Sequence, residues 1–217
     1  MFTPALKKIA LLCFSFAVFI PFVTSSAPYE EGKQYTKISD KPTTKVEIRE
    51  YFSFYCPHCF KFEPLLEGVK KRLDPSVNFE RNHVDFLRSA STDTQQLLSK
   101  AIVIAQQLKM EEKIVSAIFN YIHVSKSTFS SEKDIRNLFV VNGIEGEKFD
   151  TLMKSFSVNS KANKMKKNQD ALAKSGALKS VPTLIINGKY RINTQALDPD
   201  NFAKDYEALI SYLLSIG

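Results

Sequence analysis

The chain has 217 residues, a formal net charge of +7 and 24% charged residues. The positive surplus is modest. Its densest cluster lies on a predicted helix and consists of Lys161, Lys164, Lys166 and Lys167. Nucleic-acid binding usually needs a concentrated basic stripe, so the cluster is interpreted as a solvated helix face and no nucleic acid is expected as a partner. The length is enough for one core, or for a domain with an insertion.

The N-terminal segment has the features of a secretory signal peptide. Lys7 and Lys8 precede an apolar run over residues 9–20, and small residues follow at 24–27. We predict removal of residues 1–26, which discards Cys13 and lowers the net charge from +7 to +5 by the loss of two lysines. The alternative is an uncleaved signal anchor, but the apolar run is shorter than the ~20 residues of a membrane span.

The first strong strand pattern covers residues 46–55, after a polar lead-in with a short predicted strand near 34–38. One face of the strand carries Ile48, Glu50, Phe52 and Phe54. Large apolar groups occur on both faces, which predicts a central strand covered on both sides. Glu50 then points inward, where burial would raise its pKa and allow proton exchange with a thiol. The alternative is that Glu50 lies at the strand end and reaches water.

Cys56-Pro57-His58-Cys59 follows this strand, and a helical pattern over residues 57–73 follows the tetrapeptide. Pro57 suits the first helical position, which places Cys56 at a strand-to-helix junction. The N–H groups and dipole of a helix N-terminus favour a thiolate, and a protonated or hydrogen-bonding His58 adds to this. A stabilised thiolate makes the disulfide a good electron acceptor. We therefore predict a redox site that transfers its disulfide to other proteins.

Other uses of the two cysteines are less favoured. Structural zinc needs four ligands, whereas two cysteines remain after cleavage and the histidines are scattered along the chain. A c-type haem needs His after the second cysteine, where Phe60 stands. A structural disulfide of this spacing would close a loop too small to restrict the unfolded chain much. No metal and no cofactor are therefore expected.

The remaining elements alternate between α/β pieces and helices. Pro64 is expected to kink the helix, and residues 77–84 form a strand in which Arg81 is a candidate partner for Glu50. His83, on the same face as Arg81, is interpreted as structural rather than catalytic. A helical block follows, with predicted helices over residues 91–110, 111–123, 131–142, 146–156 and 161–175. A capping box of Ser131 and Asp134 opens the third of these helices.

The C-terminal piece returns to β structure. Residues 181–186 and 190–193 are predicted strands joined by a two-residue turn at Asn187-Gly188, and a final helix covers 199–215. Pro182 cannot donate a ladder hydrogen bond, so it needs an edge or a special site. The alternative is an ordinary proline at the start of a strand.

These elements together resemble the thioredoxin superfamily and, within it, the DsbA family of thiol:disulfide oxidases of the Gram-negative periplasm. The likeness lies in residues 29–35, 50–63, 131–143 and 181–190, and it spans nearly all of the mature chain. The resemblance implies an α/β class with a thioredoxin fold and an inserted all-helical domain. It implies a thioredoxin-like domain of residues 27–88 and 164–217, and an inserted domain of residues 89–163.

The resemblance also implies residue roles. Cys56 and Cys59 would form the redox-active disulfide, with Cys56 as the exposed nucleophile and Cys59 as the buried resolving cysteine. His58 would stabilise the Cys56 thiolate. Pro182 would be a cis-proline facing the disulfide, beside Val181 as a backbone contact for an extended substrate. The supporting residues would be Pro57, Glu50 and Arg81.

The implied partners are reduced, partly unfolded exported proteins and a DsbB-like membrane quinone reductase, and the protein is expected to be a periplasmic monomer. Two residues depart from the family pattern: Arg81 stands where Lys is common, and Ser180 stands where Gly is common. The stretch from Phe156 to Val181 is also about one helical turn longer. A disulfide isomerase or reductase is one alternative, and an exported binding protein or chaperone with a structural disulfide is another.

Overall fold

The computed structural model describes residues 28–217, so the predicted signal peptide lies outside the described residues. The strands are β1 (Tyr35–Lys37), β2 (Glu47–Phe52), β3 (Asn78–His83), β4 (Thr183–Ile186) and β5 (Tyr190–Ile192). They form one sheet in the order β1-β5-β4-β2-β3. β2 and β3 run parallel, and the other neighbours are antiparallel. The prediction that β2 is a central strand is confirmed.

Within this part of the chain there are seven α-helices. They are α1 (Pro57–Arg72), α2 (Thr92–Gln107), α3 (Glu111–Phe119), α4 (Glu132–Val141), α5 (Gly146–Lys154), α6 (Phe156–Lys174) and α7 (Phe202–Ile216). A π-helical turn, Asn120–Val124, follows α3, and a 3-10 turn, Thr194–Ala196, precedes α7. None of the described helices is long and apolar enough to cross a membrane.

Helices α2 to α6 all lie between β3 and β4 in the chain, and no strand interrupts them. The predicted α/β class with a helical insertion is therefore confirmed. The predicted capping box is present, because the Ser131 side chain accepts from the Asp134 backbone and the Asp134 carboxylate accepts from the Ser131 N–H. The domain limits themselves stay a prediction; α6 runs across the predicted boundary between residues 163 and 164.

Two large apolar cores meet near the tetrapeptide. One core packs β1, β2, β4 and β5 against α1 and α7. The other core joins the end of β2 to helices α2 to α6, and it includes Phe52, Phe54, Cys56 and Cys59. The start of α1 is therefore held between the sheet and the helical block, because burying these apolar side chains removes them from water.

Several element limits differ from the predictions. β2 ends at Phe52 rather than Tyr55, because the chain turns there and the Cys56 N–H bonds to the Ser53 carbonyl at 3.1 Å. α6 begins at Phe156 rather than near residue 161, because the Ser155 hydroxyl caps the Val158 N–H at 3.3 Å. The hairpin pairs Ile186 with Tyr190, so three residues rather than two separate the paired positions.

Candidate active site

The start of α1 positions the first cysteine. Cys56 is the N-cap residue, Pro57 occupies the first turn, and the Cys56 Sγ accepts a hydrogen bond from the Cys59 N–H at 3.2 Å. The main chain of Cys56 also bonds to Phe60, whose N–H reaches the Cys56 carbonyl at 3.1 Å. The predicted strand-to-helix junction is confirmed, and the sulfur faces the unpaired N–H groups of the helix.

The two thiols have opposite environments. A hydrogen bond from the Cys59 thiol, together with the N–H groups of Cys59 and His58, outweighs burial and lowers the pKa of Cys56 to about 7. Burial, together with the neighbouring Cys56, raises the pKa of Cys59 far above the ordinary cysteine value. Both residues are free thiols, so the structure describes the dithiol state. The expectation that Cys56 is exposed is wrong: only 4% of the residue is exposed, because it packs into the core that joins the end of β2 to the helical block. The proton therefore remains on Cys59 and leaves Cys56 first.

His58 acts on Cys56 through its main chain. Its N–H favours the Cys56 thiolate, whereas its side chain is exposed and lines a cavity beside Pro182. The His58 N–H is thus one of the helix N-terminal groups expected to favour the thiolate, and its contribution would survive replacement of the ring. The imidazole adds polar surface at the mouth of the cavity.

The loop before β4 lies against the first cysteine. The Val181-Pro182 peptide bond is cis, and the Cys56 thiol donates to the Val181 carbonyl oxygen at 3.4 Å. β4 begins only at Thr183, so Pro182 stands outside the ladder, as its missing N–H requires. A cavity of about 450 Å³ extends from this point, and its lining includes His58, Lys61, Phe62, Val181, Pro182 and Gln195.

Glu50 is buried beneath the cysteines, as its face of the strand predicted. Only 1% of the residue is exposed, and this burial is the main cause that raises its pKa to about 8. β2 and β3 pair Glu50 directly with Arg81, and the Glu50 Oε2 lies 3.4 Å from the Arg81 Nε. The predicted pairing of these residues is present as an ion-pair contact.

Arg81 has more acidic neighbours than the sequence indicated. Its Nη2 donates to Glu63 at 2.6 Å and to Glu67 at 3.2 Å, while its Nε lies 3.6 Å from Glu111. Burial alone would lower the pKa of Arg81, but the carboxylates raise it above the usual arginine range. The four-residue spacing of the two α1 acids was the signal that could have found them, since it places both on one helix face.

The described residues offer no metal site, and the histidine on β3 has a structural role beside the cysteines. In residues 28–217, no group of three or more His, Cys, Asp or Glu side chains is placed to bind a metal ion. His83 is structural: its Nε2 accepts from the Phe54 N–H at 3.2 Å, so its Nδ1 carries the proton toward Ser99 at 2.9 Å. Burial lowers the pKa of His83 to about 3, which keeps the ring neutral.

A helix-capping cysteine with a lowered pKa, a protonated partner cysteine three residues further on and a facing cis-proline loop together define a thiol:disulfide oxidoreductase of the thioredoxin superfamily. The family model of the DSBA-like thioredoxin domain matches residues 47–207. The thiol:disulfide interchange protein DsbA of Escherichia coli K12 is 34% identical over 200 residues, which cover 89% of this chain and 92% of the relative. The Haemophilus influenzae DsbA is 37% identical over 192 residues, covering 87% and 89%.

Solved structures agree with these sequence matches. The crystal structure of the disulfide oxidoreductase DsbA from Proteus mirabilis superposes with a TM-score of 0.74 at 31% identity, covering 87% of this chain and 98% of that chain. A complex of the same protein with a non-covalently bound peptide, PWATCDS, gives a TM-score of 0.75 at 30% identity, covering 87% and 100%. The chain belongs to the DsbA family, and it is a dithiol oxidoreductase that donates disulfides.

Proposed function

We propose that Cys56 is the nucleophile and Cys59 the resolving cysteine of a reaction that oxidises cysteine pairs in exported proteins. The low pKa of Cys56 supports this assignment most strongly. A stabilised Cys56 thiolate is a good leaving group, and it also stabilises the reduced enzyme, so that the enzyme disulfide readily accepts electrons. At pH 7 about half of the Cys56 thiols would be ionised in the dithiol form. Pro57 and His58 complete the tetrapeptide, with the His58 N–H facing the sulfur.

The exchange proceeds in two steps. A substrate thiolate attacks the Cys56 Sγ of the Cys56–Cys59 disulfide, and Cys59 leaves as a thiolate that takes a proton. The second substrate thiolate then attacks the substrate sulfur of the mixed disulfide, and Cys56 leaves as a thiolate. The substrate loses two electrons and two protons; the enzyme disulfide gains both electrons, Cys59 takes up one proton, and the other proton passes to the solvent while Cys56 remains a thiolate.

Glu50 is proposed as the group that exchanges the Cys59 proton. A pKa near 8 allows this carboxyl group to hold or release a proton close to neutral pH. Arg81 would set the balance between the two states, since its charge opposes the effect of burial on Glu50. An arginine at this position stays charged throughout the cycle, whereas a buried lysine can lose its proton more easily.

The substrates are proposed to be reduced, partly unfolded proteins that bind as extended segments. The loop at Val181 and Pro182 offers backbone groups beside Cys56, and the adjoining cavity is open to a peptide. The Proteus mirabilis relative has been solved with a non-covalently bound peptide, which supports peptide binding by this chain. We further propose that the protein is a periplasmic monomer reoxidised by a DsbB-like membrane quinone reductase, which would accept the two electrons.

The experiment is oxidation of a reduced model protein by the purified chain lacking residues 1–26. The wild-type disulfide form should oxidise one substrate dithiol to a disulfide per enzyme molecule. Cys56→Ser should be inactive, and Cys59→Ser should accumulate a mixed disulfide through Cys56 when mixed with an oxidised peptide. If Cys56→Ser instead trapped the peptide through Cys59, the assignment of nucleophile and resolving cysteine would be reversed.

A second substrate distinguishes an oxidase from a disulfide isomerase, which is the alternative within the same fold. A model protein with scrambled disulfides should recover its native pairing slowly if the enzyme is mainly an oxidase. Recovery that is faster than oxidation of the reduced protein would favour the isomerase.

A further inference from the structure

Two of the three histidines in the sequence bond to the backbone of one residue, Phe54, two positions before Cys56. His83 accepts a hydrogen bond from the Phe54 N–H at 3.2 Å, and the His123 Nε2 lies 2.8 Å from the Phe54 carbonyl oxygen. Because a carbonyl only accepts, the His123 Nε2 must carry the proton and donate. Both polar groups of this residue are thereby satisfied outside the sheet ladder.

His123 also contacts the other side of the tetrapeptide. Its ring stacks on Phe60, the residue after Cys59, with centroids 5.0 Å apart and an interplanar angle of 11°. It therefore holds the backbone before Cys56 by a hydrogen bond and the side chain after Cys59 by stacking. The residue lies on the π-helical turn after α3, a type of distortion that is frequent at functional sites.

We infer that His123 is a positioning residue that ties the helical block to the nucleophile loop and so holds the Cys56 sulfur in place against its hydrogen-bond donors at the start of α1. The inference rests on the proposed function of Cys56. The Cys56 thiolate is stabilised by the Cys59 thiol and by N–H groups of the first α1 turn, and such bonds weaken steeply when the sulfur moves relative to the donors. β2 ends at Phe52, so in the described part of the chain the sheet ladder does not hold the loop of residues 53–56. The hydrogen bond from His123 helps to hold this loop instead.

The two histidines bond to Phe54 in opposite roles, one as an acceptor and the other as a donor. His83 must be neutral, because its Nε2 accepts from Phe54. His123 must be a donor at Nε2, because the Phe54 carbonyl can only accept. A second link, from the Phe129 N–H to the Tyr55 hydroxyl at 3.3 Å, connects the same loop to the helical block.

The test compares three replacements of His123 with a control on the same turn. His123→Ala removes both contacts, His123→Phe keeps an aromatic ring against Phe60 without a donor, and His123→Gln retains an N–H donor. Asn120→Ala is the control, because its exposed side chain bonds only to Ser116. Each reduced protein is titrated for the pKa of Cys56 by its rate of alkylation, and the oxidation of a peptide dithiol, with oxidised glutathione present to regenerate the enzyme disulfide, gives kcat and KM.

We expect the Cys56 pKa to rise by up to about one unit, and kcat/KM to fall about 3- to 10-fold, in His123→Ala and His123→Phe. His123→Gln should recover most of both values, and Asn120→Ala should match wild type. If His123→Ala and His123→Phe unfold more easily but keep the wild-type Cys56 pKa, the positioning role is wrong. That outcome is distinct from failure of the oxidase, which would appear as an inactive wild-type protein.

Discussion

The Cys56 thiol donates to the Val181 carbonyl oxygen at 3.4 Å, which joins two segments 125 residues apart in the chain. A nucleophile and the backbone proposed to bind substrate are thus in direct contact. An extended peptide bonded to this loop would present its cysteine to the Cys56 sulfur. The contact also places one side of the thiol against an acceptor, so that ionisation of Cys56 frees the carbonyl for another donor.

Alkylation of the reduced protein should distinguish its two cysteines. Cys56 should react with iodoacetamide with a pH midpoint near 7, because hydrogen bonds from Cys59 and the α1 N–H groups stabilise its thiolate. Cys59 should stay unmodified until the protein is denatured, because burial keeps its proton in place. Mass spectrometry of peptides after timed reaction measures both rates. A Cys56 midpoint near 8.5, the ordinary cysteine value, would contradict the stabilised thiolate.

Glu50→Gln should change how stability depends on pH. Burial raises the pKa of Glu50 to about 8, so the folded protein holds a proton that the unfolded chain has lost above pH ~4.5. The stabilisation is present at low pH and is lost as pH rises through 8. Between pH 6 and 8 the wild type should lose about 2 kcal/mol relative to Glu50→Gln in urea unfolding. Parallel stability curves for the two proteins would rule out the raised pKa.

Removal of the Arg81 charge should destabilise the protein strongly. Arg81→Met leaves Glu50, Glu63 and Glu67 without their shared cation, and breaking a buried ion pair by removing one partner costs about 3–5 kcal/mol. Combining Arg81→Met with Glu50→Gln should recover part of this loss, since one buried carboxylate is then absent. Urea unfolding at pH 9, above the pKa of about 8 at which Glu50 ionises, measures all three free energies. An additive double variant would show that the two residues are not coupled.

The substrate cavity should prefer peptides with an acidic residue beside the cysteine. Among the described residues that line it, Lys61 is the one lysine or arginine, and no carboxylate lines it. An Asp beside the peptide cysteine should raise kcat/KM about 2- to 5-fold over Asn at low salt, and Lys61→Gln should abolish this preference. The preference should also shrink at high salt. An equal preference in the variant would exclude Lys61 as its cause.

Local chemistry explains which features the sequence could predict. Pro57 after Cys56 marks a helix start by itself, and the alternation around Glu50 places its carboxyl group inward before any partner is known. The capping box of Ser131 and Asp134 is equally local. Such features depend on residues within four positions of one another, so they can be predicted from a short stretch of sequence.

Other features depend on tertiary packing. The bond from His123 to Phe54 spans 69 residues and needs the helical block to dock against the nucleophile loop. The acids around Arg81 come from α1 and α3, whose relative placement no periodicity reveals. α6 begins with Phe156, which is 87% exposed. This apolar residue does not face the core, so hydrophobic periodicity could not locate the start of the helix. Only the Ser155 cap marked that position.

The disulfide equilibrium with glutathione tests the donor role most directly. The purified protein is incubated in buffers of varied glutathione ratio, and the fraction of Cys56–Cys59 disulfide is measured, with Cys56→Ser as the control. We predict a disulfide much more oxidising than glutathione, because the Cys56 thiolate stabilises the dithiol, and no such transition in the control. A pair more reducing than glutathione would contradict a disulfide donor and would indicate a reductase or a structural disulfide.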